Sequence, residues 1–371
     1  MHILLTGNTA FKLANFRAGL IQRFIEQGHR VTVLAPADGY VERLRALGCT
    51  FIPITMKRNG VGLMSEIKLL AAIFYWFRRL KPEIVFSFTI KNNIYGGVSS
   101  QLLGIPFAPN VTGLGPAFEK EGWLNRLVIF LYRIAFRRTH VVLFQNPHDM
   151  ALFTELGLIP KDRVHLLPGS GVNLEKFAVR PMPERTASIR FLLVGRLLWD
   201  KGVGVYVEAA KIVRLSHPQA CFQLLGPLDP DSRSAVDQGQ LDKWISEGIV
   251  EYLGTKEDVA PVLEAAHCIV LPSFYHEGTP RSLLEAGAVG RPIITTDMPG
   301  CRDVVVDGKT GYLVAPNDVE QLAEACMRFL DSSAARQASL GAASRLHIAE
   351  TYDEEIVIGA YREILYQIAA L

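Results

Sequence analysis

The sequence predicts an α/β protein built from two doubly wound parallel-sheet domains, and three observations support this. The chain has 371 residues, a length that suits two domains. Short runs of β-branched and aliphatic residues alternate with segments of helical spacing, which is typical of βαβ units. These runs barely alternate between apolar and polar residues, as expected for strands that are buried on both faces.

The predicted elements of the first domain follow this alternation in order. The strands are residues 2–5, 30–35, 51–54, 84–88 and 141–144. The helices between them are residues 16–27, 40–47, 65–80 and 93–103. In open sheets of this kind, ligands bind beyond the carboxyl ends of the strands, so the loops that follow strands are where we expect chemistry.

The series begins again after residue 188. Its strands are residues 190–194, 222–225, 250–253, 268–271 and 292–295, and its helices are residues 203–216, 237–246, 259–266 and 280–289. The polar segment 177–187 contains two prolines and is interpreted as the linker. We therefore assign domains to residues 1–176 and 177–350. Residues 351–371 form a final helix, and the ligand site is expected in a cleft where the two domains face each other.

Composition and charge exclude several classes of protein. The chain is 49% hydrophobic with a net charge of only +2, which excludes disordered and collagen-like chains and a wholly basic nucleic-acid binder. The near-zero sum hides a split: residues 1–170 hold 20 Lys+Arg against 10 Asp+Glu, whereas the remainder holds 19 against 27. The basic half is therefore expected to meet an anionic partner.

Cysteine usage and hydropathy predict the compartment. The five cysteines include no CxxC pair, which indicates a reducing compartment and neither a disulfide framework nor a zinc site. The amino terminus lacks the charged region of a signal peptide. The longest clean apolar run, residues 69–77, is far below the ~18 residues that span a bilayer. The sequence predicts a soluble or peripheral protein.

Two loops that follow predicted strands are candidate phosphate sites. Residues 6–9 contain a single glycine, so they lack the GxGxxG fingerprint, and a phosphate-approaching turn and a structural turn both stay open. In the segment VGRLLWDKG, residues 194–202, Arg196 and Lys201 flank a predicted helix start. Two cations beside a helix N-terminus form an anion site, although a solvated loop with surface cations is the alternative.

The segment HEGTPRSLLEA, residues 276–286, is the strongest local signal. Thr279 fits a helix N-cap and Pro280 the first helical position. At ~1.5 Å rise per residue, Glu285 lies about 9 Å along the helix, too far from Glu277 for a retaining hydrolase pair at ~5–5.5 Å. The two glutamates suit ligand hydroxyls better, unless both are surface residues beside a cap. The DPD sequence that starts at Asp229 is interpreted as a polar turn away from this site.

Here the sequence resembles the retaining glycosyltransferases of family 4, which have the GT-B fold of two Rossmann-like domains. Residues 277–285 match their E-x7-E motif, and GRLLWDKG, YLGTKEDV and GRPIITTDMPGCRDVVVDGKTGYLV extend the match over nearly the whole chain. The resemblance also implies that the final helix, residues 351–371, crosses back to the first domain. The segments TIKNNIYG and NVTGLGPAF are similar to the subgroup that elongates undecaprenyl-diphosphate-linked sugars, including N-acetylgalactosaminyl transferases.

The resemblance implies roles for particular residues. Arg196 and Lys201 would hold the donor diphosphate, Glu277 would contact donor-sugar hydroxyls, and Glu285 would take the ribose hydroxyls. The whole implied donor site is Gly7, Arg196, Lys201, Gly254, Thr255, Glu277, Gly278, Thr279, Pro280, Arg281, Ser282 and Glu285. Catalysis would rest on Glu277, Arg196 and Lys201. No cofactor or metal is expected, because the two cations stabilise the charge that develops on the leaving diphosphate.

The first domain departs from the family pattern and supplies the acceptor side. Many relatives have a histidine there, but this sequence has none between His29 and His140. The implied acceptor residues are Asn8, Arg17, Lys91, Asn93, Thr112 and Gly113. Two basic, aromatic-rich helical segments, residues 62–81 and 122–138, suit an anionic membrane surface. The alternative is that these helices pack on the sheet while their arginines extend into water.

These inferences predict a retaining, metal-independent glycosyltransferase. It would move a hexosyl or N-acetylhexosaminyl group from a UDP-sugar to a polyprenyl-diphosphate-linked saccharide in bacterial glycan assembly. It would be peripheral on the cytoplasmic face of the inner membrane, without a nucleic-acid partner. The alternatives are a transferase with a soluble acceptor, a GT-B epimerase and a non-catalytic sugar-nucleotide-binding protein. An epimerase is expected to lack the paired RLxxxKG and E-x7-E motifs.

Overall fold

A computed structural model describes residues 1–56, 62–115, 118, 122–184 and 188–370. The chain forms two compact units: Met1–Ser170 together with Glu354–Leu371, and Gly171–Asp353. We call them unit 1 and unit 2. The predicted boundary after residue 176 lies six residues too late, because unit 2 begins at Gly171 and Val172 is already buried in its core. Residues 185–187 of the predicted linker lie outside the described residues.

Unit 1 is built on a seven-stranded parallel sheet. Its strands are β1 (His2–Thr6), β2 (Arg30–Ala35), β3 (Thr50–Pro53), β4 (Ile84–Phe88), β5 (Phe107–Val111), β6 (Val142–Phe144) and β7 (Val164–Leu166). Its helices up to residue 170 are α1 (Ala10–Phe16), α2 (Ala18–Glu26), α3 (Val41–Ala46), α4 (Leu63–Leu80), α5 (Ile90–Leu103), α6 (Trp123–Phe136) and α7 (Pro147–Glu155). The strand order is β3-β2-β1-β4-β5-β6-β7.

Unit 2 repeats the same plan with six parallel strands. They are β8 (Arg190–Val194), β9 (Cys221–Leu225), β10 (Glu251–Tyr252), β11 (Cys268–Leu271), β12 (Ile293–Thr296) and β13 (Gly311–Val314), in the order β10-β9-β8-β11-β12-β13. Its helices are α8 (Val203–Ser216), α9 (Gln238–Ser246), α10 (Ala260–Ala265), α11 (Arg281–Ala288), α12 (Val319–Asp331) and α13 (Ala334–Thr351). The predicted fold class, two doubly wound parallel-sheet domains, is confirmed.

The last helix, α14 (Glu354–Ala369), belongs to unit 1 although it follows unit 2 in the chain. Its Tyr361 is fully buried and packs edge-on against Phe86 of β4, with ring centroids 4.9 Å apart. The hydroxyl of Tyr361 also accepts a hydrogen bond from the side-chain amide of Asn110 at 2.8 Å. An apolar ring and a satisfied hydroxyl together fix this helix on the core of unit 1.

Some predicted elements of unit 1 differ from the structure. The predicted helix 16–27 corresponds to α2, which begins two residues later, whereas α1, which ends at Phe16, was not predicted. Arg17 is buried, and its guanidinium lies over the Phe88 ring at 4.7 Å. This cation–π contact stabilises a charged group that is buried at the junction of α1 and α2. No strand was predicted for β5 or β7.

The strand orders locate the ligand-binding edge of each unit. In unit 1 the order reverses between β1 and β4, and in unit 2 it reverses between β8 and β11. Connections from these two strands leave on opposite faces of the sheet, which opens a crevice beyond their carboxyl ends. Among the described residues, no helix is both long enough and apolar enough to cross a membrane.

Candidate active site

The loops after β8 and β11 meet at the reversal point of unit 2. The Nζ atom of Lys201, after β8, lies 2.6 and 2.7 Å from the two carboxylate oxygens of Glu277, after β11. The two side chains retain only 16% and 12% of their exposure. At this depth the attraction between ammonium and carboxylate is stronger than at an open surface, and each group holds the other in one position.

The backbone around this ion pair is held by further hydrogen bonds. The hydroxyl of Ser273, which is fully buried, lies 2.9 Å from Oε1 of Glu277. The carbonyl of Asp200 accepts hydrogen bonds from the amide of Phe274 at 3.0 Å and from the Ser273 hydroxyl at 3.3 Å. The two loops are therefore tied together directly beside the Lys201–Glu277 pair, and Ser273 is a site residue that the sequence analysis did not identify.

Arg196 has a partner that the sequence analysis placed elsewhere. Its guanidinium donates to the carboxylate of Asp229 at 2.6 Å, and the Asp229 side chain is only 8% exposed. The prediction that Asp229 lies away from the site was therefore wrong. The physical reason is the strand order: β8 and β9 are neighbours, so the loops that follow them share one edge, and the loops are also bridged between Leu197 and Leu228.

The α11 helix presents the second glutamate of the motif. Arg281 Nε donates to Glu285 Oε1 at 3.0 Å, one turn along the helix, and both side chains are less than 15% exposed. Burial raises the pKa of Glu285, and Arg281 opposes part of that shift. The helix begins at Arg281 with Pro280 as its N-cap and no side-chain cap, so the prediction of Thr279 as N-cap and Pro280 as first helical residue was one position early.

Comparison with known proteins identifies the family. Residues 14–169 match a family model described as "Glycosyl transferase 4-like domain", and residues 188–332 match one described as "Glycosyl transferases group 1". The chain is therefore a glycosyltransferase, with a glycosyl transferase 4-like first domain and a group 1 second domain.

Two curated relatives align with most of the length of this glycosyltransferase. One is the N,N'-diacetylbacillosaminyl-diphospho-undecaprenol alpha-1,3-N-acetylgalactosaminyltransferase of Campylobacter jejuni, 26% identical over 380 residues, covering 98% of each chain. The other is the UDP-Gal:alpha-D-GlcNAc-diphosphoundecaprenol alpha-1,3-galactosyltransferase of Escherichia coli, 27% identical over 296 residues, covering 76% of this chain and 74% of the relative. Both are lipid-linked sugar transferases by name.

Solved structures share the fold of this glycosyltransferase. The Anabaena protein HepE in complex with UDP and glucose superimposes with a TM-score of 0.81 at 16% identity, covering 98% of this chain and 99% of its own. Sucrose-phosphate synthase from Thermosynechococcus elongatus also gives a TM-score of 0.81, at 18% identity, covering 100% and 99%. These similarities establish the GT-B fold.

Most of the remaining residues that were predicted to bind the donor lie at the same edge of the unit 2 sheet. Gly278, Thr279 and Pro280 are buried between β11 and α11, and Ser282 lies partly buried in the first turn of the helix. The carbonyl of Gly254, after β10, accepts a hydrogen bond from the Gly226 amide, after β9, at 2.9 Å. The loop that carries Gly254 and the exposed Thr255 is thereby attached next to the Arg196 loop. Gly7, the remaining predicted donor residue, lies in unit 1.

The predicted acceptor residues of unit 1 fall into two groups. Asn8, Lys91, Thr112 and Gly113 are partly buried, and Lys91 pairs with Glu66 at 2.7 Å. Arg17 and Asn93 are buried.

The buried side chain of Asn93 makes hydrogen bonds within unit 1. Its side chain accepts from the Ser87 hydroxyl at 2.5 Å and donates to the Asn110 carbonyl at 2.9 Å. The prediction that Asn93 contacts an acceptor directly therefore does not fit the structure. Its polar side chain instead joins β4, β5 and the start of α5 at the reversal point, where the backbone of Thr89 is also held at a positive φ of 78°.

Gly300 is a further residue that the sequence analysis missed. It has a φ of +82°, and a Cβ atom there would lie 1.6 Å from the Gly278 carbonyl oxygen and 2.8 Å from that of Glu277. The loop after β12 thus packs directly against the backbone that carries Glu277. Only glycine permits both the backbone conformation and this close approach.

We expect Gly300→Ala to lower the free energy of unfolding by about 2–4 kcal/mol, because backbone strain and a steric clash add. Gly308→Ala is the matched control, since Gly308 has a φ of +67° and nothing within 4 Å of its Cβ position. The control should lose only about 1 kcal/mol. Urea unfolding of both variants measures the difference, and equal losses would contradict the proposed contact.

Proposed function

We propose that this glycosyltransferase moves a hexosyl or N-acetylhexosaminyl group from a UDP-sugar to a polyprenyl-diphosphate-linked saccharide, with retention of the anomeric configuration. The observation that carries the proposal is the Lys201–Glu277 ion pair at the reversal point of unit 2, with Arg196 at the same edge. One strand loop supplies cations for a diphosphate and the other supplies a carboxylate for sugar hydroxyls. The names of both curated relatives, which act on undecaprenyl-diphosphate sugars, support the acceptor class.

In the proposed reaction the bond between the anomeric carbon and the diphosphate oxygen breaks, and the acceptor hydroxyl attacks that carbon from the same face. The hydroxyl proton goes to an oxygen of the departing diphosphate. Lys201 and Arg196 stabilise the negative charge that develops on the leaving group, and they are already in place before the reaction begins. Glu277 orients the donor sugar through its hydroxyl groups.

We propose that no metal ion takes part, because two cationic side chains occupy the position from which charge stabilisation is needed. Transfer should therefore proceed at an unchanged rate in excess EDTA. A loss of activity in EDTA that Mg²⁺ or Mn²⁺ restores would contradict this part of the proposal.

The raised pKa of Glu285 predicts the pH dependence of donor binding. As an acceptor for the ribose hydroxyls, Glu285 must be ionised, so UDP affinity should fall as pH decreases through its pKa. Because burial raises that pKa above the ordinary value of 4.5, the loss should begin at a higher pH than for an exposed glutamate.

Calorimetric titration of UDP between pH 7.5 and 5.0 measures this effect. Glu285→Gln should bind about tenfold more weakly at pH 7.5, and its affinity relative to wild type should improve as pH falls. The ratio of the two UDP affinities does not depend on the titration of UDP itself, since both proteins bind the same nucleotide. A ratio that stays constant with pH would show that Glu285 does not act in its ionised form.

We propose that unit 1 meets an anionic membrane surface through α6, on the cytoplasmic face of the bacterial inner membrane. One part of this helix is buried through Val128, Tyr132, Ala135 and Phe136. The rest exposes large apolar side chains: Trp123 at 71%, Leu124 at 37%, Leu127 at 42%, Phe130 at 54% and Ile134 at 42%. With Arg126 and Arg133 on the same helix and Arg137 at its C-cap, this composition suits an interface of anionic headgroups and acyl chains.

The double variant Trp123→Ser/Phe130→Ser should bind vesicles of phosphatidylglycerol at least tenfold more weakly, because it removes two aromatic side chains from the exposed part of α6. Leu215→Ser, an 87% exposed leucine of unit 2, is the control and should bind as wild type does. Vesicle flotation measures both, with phosphatidylcholine vesicles for comparison. Binding that is unaffected by the double variant or by 0.5 M salt would overturn this part of the proposal.

A donor panel tests the proposed reaction as a whole. Purified protein is incubated with UDP-glucose, UDP-galactose and their N-acetylated forms, together with lipid-linked saccharide extracted from bacterial membranes. Product mass identifies the sugar that is transferred, and the NMR coupling of the new anomeric proton reports retention. Transfer to a water-soluble saccharide alone would favour the soluble-acceptor alternative, and UDP-sugar binding without any transfer would favour a sensor.

A further inference from the structure

A groove on unit 2 lies outside the proposed donor site. It has a volume of about 530 Å³ and lies between the first turns of α8 and the length of α9, with the start of α12 at one end. Its lining residues are Trp199, Gly204, Val205, Glu208, Lys211, Gln240, Lys243, Trp244, Glu247, Phe274, Asn317 and Val319. None of the four charged residues of the donor site, Arg196, Lys201, Glu277 and Glu285, belongs to this set. The volume falls within the range typical of small-ligand pockets.

Three aromatic side chains form the apolar part of the groove. Trp199 and Trp244 meet edge to face with centroids 5.7 Å apart, and Phe274 lies beside them in the lining. A Cβ atom at Gly204 would lie 2.6 Å from the Trp199 ring, so that ring rests directly on the first turn of α8. Trp199 nevertheless keeps 40% of its surface exposed. Its ring is therefore held in place from below while it remains available to a ligand.

The charged groups of the groove cancel each other. Glu208 pairs with Lys211 at 2.7 Å, and Lys243 pairs with Glu247 at 3.9 Å. Two balanced pairs give little net field, so the groove has no preference for a phosphate or for a metal ion. The amide of Gln240 adds a neutral donor and acceptor. The lining therefore favours a ligand that is uncharged, rich in hydroxyl groups and apolar on one face.

We infer that this groove binds a neutral saccharide, with a sugar ring on Trp199 and its hydroxyl groups directed to Gln240 and the charged pairs. The C–H face of a pyranose ring is apolar and packs on an aromatic ring, whereas its hydroxyls need partners at the rim. The inference rests on the proposed function in one respect, because the saccharide available to such an enzyme is its acceptor or its product. The site would hold a part of the glycan away from the reacting centre.

The groove is linked to the donor site through the backbone. Trp199 is two residues from Lys201, and Phe274 follows Ser273 directly. The amide of Phe274 donates to the carbonyl of Asp200 at 3.0 Å. A sugar ring that fixes Trp199 and Phe274 therefore also reduces the freedom of the loops that carry Lys201 and Glu277. Saccharide binding should lower the Kd of UDP about two- to fivefold, and UDP should strengthen saccharide binding by the same factor.

The test follows the indole N–H signals of ¹⁵N-labelled protein, which has four tryptophans. UDP is added to saturation so that the donor site is filled, and methyl α-galactoside and α1,3-galactobiose are then titrated. We expect a saturable shift of the Trp199 signal with a Kd of about 1–10 mM, as few hydrogen bonds form on an open surface. Inorganic phosphate should give none.

Two variants and their matched controls test whether the saccharide binds in this groove. Trp199→Ala, followed through the indole signal of Trp244 in the same groove, should raise the saccharide Kd at least tenfold. Trp123→Ala, which replaces an exposed tryptophan of unit 1, should leave it unchanged. Gln240→Ala should raise it about threefold, and Gln238→Ala, on the same helix but outside the lining, should not. Gln240→Ala keeps the test valid if Trp199→Ala fails to fold. Shifts that do not saturate, or equal Kd values for Gln240→Ala and wild type, overturn the inference.

The outcome separates this inference from the proposed function. If the protein transfers sugar and binds UDP but no saccharide binds in the groove, only the inferred saccharide site is refuted. If saccharide binding at Trp199 saturates but the protein transfers no sugar, the proposed reaction is refuted and the groove is still a saccharide site.

Discussion

Lys201→Met is expected to lower kcat for sugar transfer by about 10²- to 10³-fold, because a fixed cation is lost from the position where negative charge develops. The methionine side chain has a similar length, so the loss reports charge more than shape. The donor KM should change much less than kcat, since the charge on the leaving diphosphate is greatest in the transition state. Steady-state kinetics with the preferred UDP-sugar measure both constants. Glu324→Gln, an exposed position on α12, is the control and should retain wild-type kinetics.

A double-mutant cycle with Glu277→Gln distinguishes the ion pair from two independent contributions. Lys201→Met leaves Glu277 at 12% exposure without its ammonium partner, and Glu277→Gln removes the charge that Lys201 neutralises. The double variant should therefore be little worse than the poorer single variant. Losses that simply multiply, or single variants within threefold of wild type, would show that the pair seen at 2.6 Å has no part in the reaction.

The fold could be predicted because the strands are buried on both faces and carry an unmistakable apolar pattern. The runs that form β1, β4, β8 and β11 contain almost no polar residue, so their ends, and the loops after them, were predictable to within a residue or two. Parallel topology then directs attention to the loops that follow these strands. The grouping of Arg196, Lys201 and Glu277 into one site came from the resemblance to the family 4 glycosyltransferases.

The partners within the site could not be predicted in the same way. Asp229 lies in a polar segment with two prolines nearby, and locally it has the composition of a solvent-exposed turn. Only the neighbouring positions of β8 and β9 bring it to Arg196, so the interaction is a property of the sheet and not of the segment. The prediction that Asn93 contacts an acceptor was wrong for a related reason. A helix N-terminus rich in asparagine resembles a binding loop whether it faces solvent or the interior.

Helix α1 illustrates a limit of periodicity. It spans only seven residues, Ala10–Phe16, too few to repeat a helical spacing clearly, and it was not predicted. The predicted helix 16–27 corresponds to α2, which begins at Ala18. Between the two helices the buried guanidinium of Arg17 lies over the ring of Phe88, 71 residues away in sequence, and no local pattern contains such a contact.

Arg291→Met is expected to lower the free energy of unfolding of unit 2 by about 3–5 kcal/mol, because it removes a buried hydrogen-bonding network. Arg291 is completely buried, and burial lowers the pKa of its guanidinium to about 10, so the group stays charged at neutral pH. Every oxygen atom that accepts a hydrogen bond from its three nitrogens is a backbone carbonyl oxygen. These are the carbonyls of Arg180, Pro181, Leu263, Glu264, Val289 and Gly290, at 2.7–3.4 Å.

These six carbonyls come from three separate segments: the irregular segment at residues 180–181, the end of α10 and the turn after α11. Without the guanidinium these carbonyls would lose a buried donor that no apolar side chain of similar volume can replace, although those of Leu263 and Val289 also accept from the amides of Ala266 and Arg180. Arg291→Lys should lose less, since an ammonium offers three donors and can satisfy only part of the set. Arg233→Met, an exposed position of the same unit, should change stability by less than about 0.5 kcal/mol. Urea unfolding of the three variants ranks them, and an Arg291→Met protein as stable as Arg233→Met would show that these segments are held together by other contacts.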